Sequence, residues 1–166
     1  MTSILDKIPQ PNRDIVLGHL QSVPVRLGAL AKDLGVSVKV TSLKPGYSGE
    51  ISPSPDAPSG FVIRINRHEP KHRQRFTLAH EIAHFLLHRD QIGAGLKDDI
   101  LYRSGLSDRR EAEANRLAAK VIMPDELVNQ RLQSLKGVLK EEVAQRMAEE
   151  FGVSETAMRI RLGLEV

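Results

Sequence analysis

Arg75-Phe76-Thr77-Leu78-Ala79-His80-Glu81-Ile82-Ala83-His84-Phe85-Leu86-Leu87-His88 is the stretch around which the chain is organised. Its apolar residues, mostly Leu, Ile, Ala and Phe, suit a buried helix. On a helix, residues four apart share a face, so His80 and His84 can aim their imidazoles at a single ion. Two neutral imidazoles suit Zn²⁺, and Glu81, on an adjacent face, can act as general base beside it. Phe76, Leu78, Ile82, Phe85 and Leu86 are expected to bury the rest of the helix and hold the ligands rigid. The plainer reading is a core helix whose polar side chains face a solvent groove. Burying two histidines and a glutamate without partners is costly, which favours the metal site.

Composition sets the outer bounds. A length of 166 residues, with 40% hydrophobic and 27% charged residues, is that of a soluble globular chain able to bury a core. There is no cysteine, which rules out a disulfide frame, a thiolate metal site and a cysteine nucleophile, and fits a reducing, cytoplasmic setting. Residues 1–14 contain no apolar stretch of signal-peptide length, and no run approaches a membrane span. A net charge of +3 is too small to imply nucleic-acid binding.

Upstream of the central helix, residues 1–13 carry Pro9 and Pro11 and read as a loosely ordered lead-in. A short helix is expected through Ile15, Val16, Leu17 and Leu20. A second one opens at Pro24, with Leu27, Leu30, Ala31 and Leu34 at helical spacing and Gly35 as its stop. Val36, Val38 and Val40 alternate with polar residues, as in a half-buried strand. Residues 45–59 read as turns and loop, with a short strand near Glu50-Ile51. Gly60-Phe61-Val62-Ile63-Arg64-Ile65-Asn66 is the strongest strand, and Pro70 suits the start of the metal helix.

Downstream, residues 89–107 form a loop with a short strand at Ile100-Leu101-Tyr102. A second long helix covers residues 108–123 and is ended by Pro124. Three further helices are expected at residues 127–132, 140–151 and 154–162. Gly152-Val153-Ser154 joins the last two in a helix-turn-helix pattern. The chain divides into a lead-in (1–23), a catalytic domain (24–134) and a small helical appendage (135–166).

A catalytic zinc takes three protein ligands. The extended pattern with a third histidine needs glycine at position 87 and histidine at 90; Leu87 and Asp90 stand there instead. His88 lies eight residues past His80, about 12 Å along the axis, and is better placed to pack or hydrogen-bond nearby. Glu111-Ala112-Glu113-Ala114-Asn115, 27 residues beyond His84, sits on the second long helix. Spacing alone leaves Glu111 and Glu113 about even as the third ligand. Asn115 shares the face of Glu111 and can orient a ligand.

The central stretch, then Glu111-Ala112-Glu113-Ala114-Asn115-Arg116-Leu117-Ala118-Ala119 and Val121-Ile122-Met123-Pro124, closely resemble the ImmA/IrrE family of small metallopeptidases. The resemblance covers residues 24–162. It is weaker in Phe151-Gly152-Val153-Ser154 and Met158-Arg159-Ile160-Arg161-Leu162, and Leu117 stands where the family often has an aromatic residue. The resemblance implies an α+β, zincin-like fold of the gluzincin class: a small twisted sheet packed on the His-Glu-x-x-His helix. It also selects Glu111 as third ligand, four residues before Asn115.

The metal set is then His80, His84 and Glu111, holding Zn²⁺ or another divalent ion such as Mn²⁺, with Glu81 as general base. The strand at residues 60–66, if it lies at the sheet edge, could pair with an extended peptide. Tyr102, Arg103 and His88 are candidates for stabilising the oxyanion. The family implies an endopeptidase of narrow specificity acting on a helix-turn-helix transcriptional repressor, encoded next door in some modules of the toxin-antitoxin or mobile-element kind. The competing reading is a non-proteolytic DNA- or protein-binding regulator with a structural or vestigial metal site. Residues 136–166 hold five basic residues against six acidic, a net charge of −1, which is wrong for docking on phosphate.

Overall fold

Phe61-Val62-Ile63-Arg64-Ile65-Asn66 forms strand β3 at the middle of a four-stranded sheet in the computed structural model, which describes residues 3–93, 95–99 and 108–166. Ile63 and Ile65 are buried on one face, and Val62, pointing the other way, is buried as well. Such a strand, with buried residues on both faces, belongs in the interior of a sheet. It pairs in parallel with β1 (Ser37–Thr41), Ser37 opposite Val62, and antiparallel with β2 (Tyr47–Pro53), Ile51 opposite Ile63. A fourth strand, β4 (Leu96–Asp99), pairs antiparallel with β2. The order is β1-β3-β2-β4, so residues 60–66 are not at an edge. Both hydrogen-bonding sides of β3 are taken, and a peptide cannot add to it.

Strand β2 is longer than the expected two residues. Its sequence, Tyr47-Ser48-Gly49-Glu50-Ile51-Ser52-Pro53, has little intrinsic preference for a strand; pairing on both sides supplies what propensity does not. The strand anticipated at residues 100–102, like Tyr102 and Arg103, lies outside the described residues.

Against the sheet lies α3 (Lys71–Leu87), with Pro70 at its N-cap. Ala79, Ile82, Ala83, Phe85 and Leu86 are buried, while Phe76 and Leu78 are half-buried against the same core. The Phe85 ring meets Phe61 edge-on, with centroids 5.8 Å apart. Gly49 lets β2 come close to this helix. A Cβ there would lie 2.6 Å from Thr77 Cγ2 and 3.0 Å from the Arg64 carbonyl oxygen. Thr77 is buried and branched, so it cannot swing aside. Gly49→Ala is therefore expected to destabilise the fold by about 1–3 kcal/mol, as overpacking does. The readout is a lowered urea midpoint at unchanged slope; a wild-type midpoint would contradict the close approach.

Helix α4 (Asp108–Ile122) packs along α3 and contributes Ala114, Leu117, Ala118 and Val121 to the core. Helix α1 (Asn12–His19) and α2 (Leu27–Asp33) precede the sheet, and α5 (Asp125–Ser134), α6 (Lys140–Phe151) and α7 (Glu155–Leu162) follow α4. The chain is thus α+β, a small sheet packed on the helix that carries the two histidines. Gly152 ends α6 in the left-handed conformation (φ 69°), and Ser154 caps α7 by accepting from the Ala157 amide at 3.0 Å. Met147, Phe151, Val153 and Met158 from this hairpin belong to the same buried cluster as α3 and α4.

The N-terminal segment is more ordered than its prolines implied. Residues Ile4–Lys7 form a 3-10 helix capped by Ser3, and it packs on α4. Ile8 and Val16 are fully buried in the core. A hydrophobic anchor outweighs the disordering bias of Pro9 and Pro11. Among the described residues, no helix is long and apolar enough to cross a membrane.

Candidate metal centre

The helical repeat places His80, His84 and His88 in a row along α3 and its C-cap. The His80 and His84 rings meet edge-on at 4.6 Å between centroids, and those of His84 and His88 lie 5.2 Å apart. Facing them on α4 are Glu111, Glu113 and Asn115. Glu81, His84 and His88 are fully buried, and His80 and Glu111 nearly so.

His80, His84 and Glu111 each offer one ligand atom, all within 4.8 Å of one another. Nε2 of His84 lies 3.1 Å from Glu111 Oε1, and Nε2 of His80 lies 3.6 Å from the same oxygen. A tetrahedral zinc with nitrogen and oxygen ligands at ~2.0–2.2 Å has ligand–ligand edges of about 3.4 Å. The two separations bracket that edge.

The outer nitrogens are held too. Nδ1 of His80 donates to Asn115 Oδ1 at 2.8 Å; an amide oxygen only accepts, so Nδ1 carries a proton, and in the neutral ring Nε2 keeps the lone pair that a cation needs. Nδ1 of His84 is 2.9 Å from Nδ1 of His88. His88 in turn reaches Glu113 Oε1 through Nε2 at 2.7 Å, and Glu113 Oε2 accepts from Lys7 Nζ at 2.7 Å. Metal-binding histidines ordinarily have such outer partners. The donor set fits a divalent cation.

Electrostatics agree with the geometry. Burial pushes the Glu111 carboxyl up, but the bonds from His80 and His84 outweigh it and hold the group well below the usual carboxylate range. Glu111 therefore presents a carboxylate at neutral pH. Burial lowers the pKa of His88 despite the opposing hydrogen bond that its ring donates to Glu113, and this keeps the ring neutral. The Lys7 ammonium, against partial burial and with help from His88, holds Glu113 at about 2.

The structure places the two glutamates that spacing left open in different surroundings. Glu111 joins the two histidines, whereas Glu113 turns to His88 and Lys7. Asp90 is exposed on a 3-10 turn, Arg89–Gln91, away from the cluster. Lys7 was not visible as a site residue. It lies 106 residues from Glu113 in sequence, and no local pattern pointed to it.

A groove of about 580 Å³ opens from His80 and Asn115. Phe76 and Thr77 of α3, Ser48 of β2, and Val153, Ala157 and Ile160 at the α6–α7 joint line it. Ile160 is 65% exposed. No periodicity marks these residues, because four separate segments supply them.

Residues 31–163 match the family model described as the IrrE N-terminal-like domain, Peptidase_M78. Metallopeptidase ImmA of Bacillus subtilis (strain 168) is 30% identical over 84 residues, covering 51% of this chain and 47% of that protein. A Mycobacterium tuberculosis transcriptional regulator shares the fold at a TM-score of 0.58 and 17% identity, over 97% of this chain and 51% of that one. The chain thus spans about half the length of each. With four-fifths of its residues inside the family model, and with a buried His-His-Glu cluster that could hold a metal ion, the chain belongs to the metallopeptidase family of the IrrE N-terminal-like domain.

Proposed function

We propose that the chain is a zinc-dependent endopeptidase of narrow specificity, with His80, His84 and Glu111 as metal ligands and Glu81 as general base. The observation that carries this reading is the convergence of three inward-facing donors from two packed helices, beside a fully buried glutamate. Imidazole and carboxylate ligands accept several divalent ions, so Mn²⁺ is a possible substitute for zinc. When bound, the ion supplies Lewis-acid activation of water and of the scissile carbonyl.

The chain's own groups do the rest. Asn115 holds the His80 ring in one tautomer and orientation. Glu81 takes the proton of the attacking water and delivers it to the leaving amine. The groove beside His80 receives a side chain of the substrate, and its Phe76, Val153, Ala157 and Ile160 suit an apolar one. Strand β4, at the edge next to β2, offers main-chain hydrogen bonds to an extended peptide.

The substrate class we infer is a helix-turn-helix repressor, cut once in an exposed segment. Only bonds already exposed or locally melted can reach a groove of this kind. Cutting between DNA-binding and dimerisation parts would weaken operator binding, since a monomer forfeits the second half-site. DNA binding by this chain is the competing reading. Against it, basic side chains of the C-terminal hairpin already face carboxylates: Arg161 lies 2.5 Å from Asp125 and Arg146 lies 3.8 Å from Glu142.

The expected result on incubating a neighbouring repressor with the zinc-loaded chain is one new pair of fragments by intact mass. An intact repressor, combined with tight operator binding by this chain alone, would replace the peptidase reading with the regulator one.

A further inference from the structure

Behind His84 the hydrogen bonds form a single file that ends at the N-terminal segment. We infer that Lys7, Glu113 and His88 act as positioning residues, an ordered relay that fixes the tautomer of His84 and strengthens it as a metal donor. The inference rests on the proposed role of His84 as a ligand. An imidazole that offers Nε2 to a cation carries its proton on Nδ1. Nδ1 of His84 lies 2.9 Å from Nδ1 of His88, and two such nitrogens bond only if one donates and the other accepts. His88 must therefore present a lone pair at Nδ1 and carry its own proton on Nε2. That proton points at Glu113 Oε1, 2.7 Å away, and a carboxylate can only accept. Every link leaves one direction for the next.

Lys7 closes the file. Its Nζ lies 2.7 Å from Glu113 Oε2 and keeps that carboxylate aimed inward. Two bonds from Arg13, to the carbonyls of Ile8 (2.9 Å) and Asp6 (3.0 Å), hold the turn that presents it, and Ile8 is fully buried beneath. Lys7 lies outside residues 31–163, so this anchor is an addition to the part that matches the family model. Because His88 is fully buried, water does not compete for its nitrogens. The negative charge of Glu113 is felt at His84 through a neutral ring, which raises the basicity of the ligand.

The test uses the full chain with zinc as the only added ligand. Long-range ¹H–¹⁵N correlation spectra of the zinc-loaded protein should show His88 protonated at Nε2 and bare at Nδ1, and His84 protonated at Nδ1. Zinc affinity is then measured by chelator competition. Glu113→Gln keeps the shape and loses the charge, and should bind zinc roughly 10–100-fold more weakly. Lys7→Met, at a half-exposed position, should lose roughly two- to fivefold, the span of an exposed ion pair. Unchanged thermal midpoints of the zinc-free variants would exclude a folding defect. His88→Phe should match Glu113→Gln, and if it does not fold, the other two variants decide. His88 found protonated at Nδ1, or equal zinc affinity in wild type and Glu113→Gln, overturns the relay and leaves the ligand set standing. A wild-type chain that takes up no zinc overturns the metal centre, and the relay with it.

Discussion

Glu81→Gln is expected to cut the rate of peptide cleavage by about 10²–10⁴-fold, the usual contribution of a positioned general base, while metal content and folding stay as in wild type. The substitution replaces one carboxylate oxygen with an amide nitrogen and leaves the volume unchanged. Glu81 is fully buried on α3, so a change of shape would register in stability and a change of charge would register in chemistry. Glutamine cannot accept the proton of an attacking water at neutral pH. Its effect should fall on kcat, because the role ascribed to Glu81 is exercised in the transition state. Three measurements on one preparation decide the matter: fragment appearance by intact mass, metal per chain by elemental analysis, and the thermal midpoint. Cleavage at the wild-type rate would remove Glu81 from the mechanism. Loss of metal together with activity would instead place it among the ligands.

Such a test is possible because the site lay partly open in the sequence. His80 and His84 are legible from spacing alone, since the helical period converts a separation of four residues into one face. Glu111 is harder. The spacing allowed Glu113 as well, and only the packing of α4 against α3 turns Glu111 toward the two histidines and Glu113 toward His88. The rotation of one helix about its axis is a tertiary property, absent from a single periodic pattern. The central strand was legible as a strand because Phe61, Val62, Ile63 and Ile65 are apolar. Its place in the sheet was not, because the order β1-β3-β2-β4 depends on pairings between distant segments. The same holds for β2, whose Ser, Gly and Pro content reads as loop until neighbours on both sides pair with it. Pro9 and Pro11 described the local chain correctly and misled about order, since Ile8 between Lys7 and Pro9 is pinned by contacts made elsewhere. Lys7 met Glu113 without any local sign.

The second large effect is expected at the third ligand. Glu111→Ala should abolish the stabilisation that zinc confers on the fold. A ligand that binds only the native state raises its stability by about 2.7 kcal/mol at a concentration 100 times Kd. For a chain of this size that is a rise of roughly 5–10 °C in Tm, and a chelator should reverse it. Removing the Glu111 carboxylate leaves two neutral imidazoles and no anionic ligand on the ion. At 5% exposure, solvent does not easily take the place of the lost oxygen. The zinc-dependent rise in Tm should then vanish at the same zinc concentration. Glu113→Ala provides the comparison. Its side chain holds His88 and Lys7 rather than facing the two inward nitrogens, so it should keep a measurable, smaller rise. His84→Ala should behave like Glu111→Ala, because its Nε2 lies 3.1 Å from the Glu111 oxygen at the centre of the cluster. The measurement is a thermal melt of each variant with zinc and again after chelation. If Glu113→Ala loses the zinc-dependent rise and Glu111→Ala keeps it, the third ligand has been placed on the wrong glutamate, and the face of α4 that meets the metal must be redrawn by two residues.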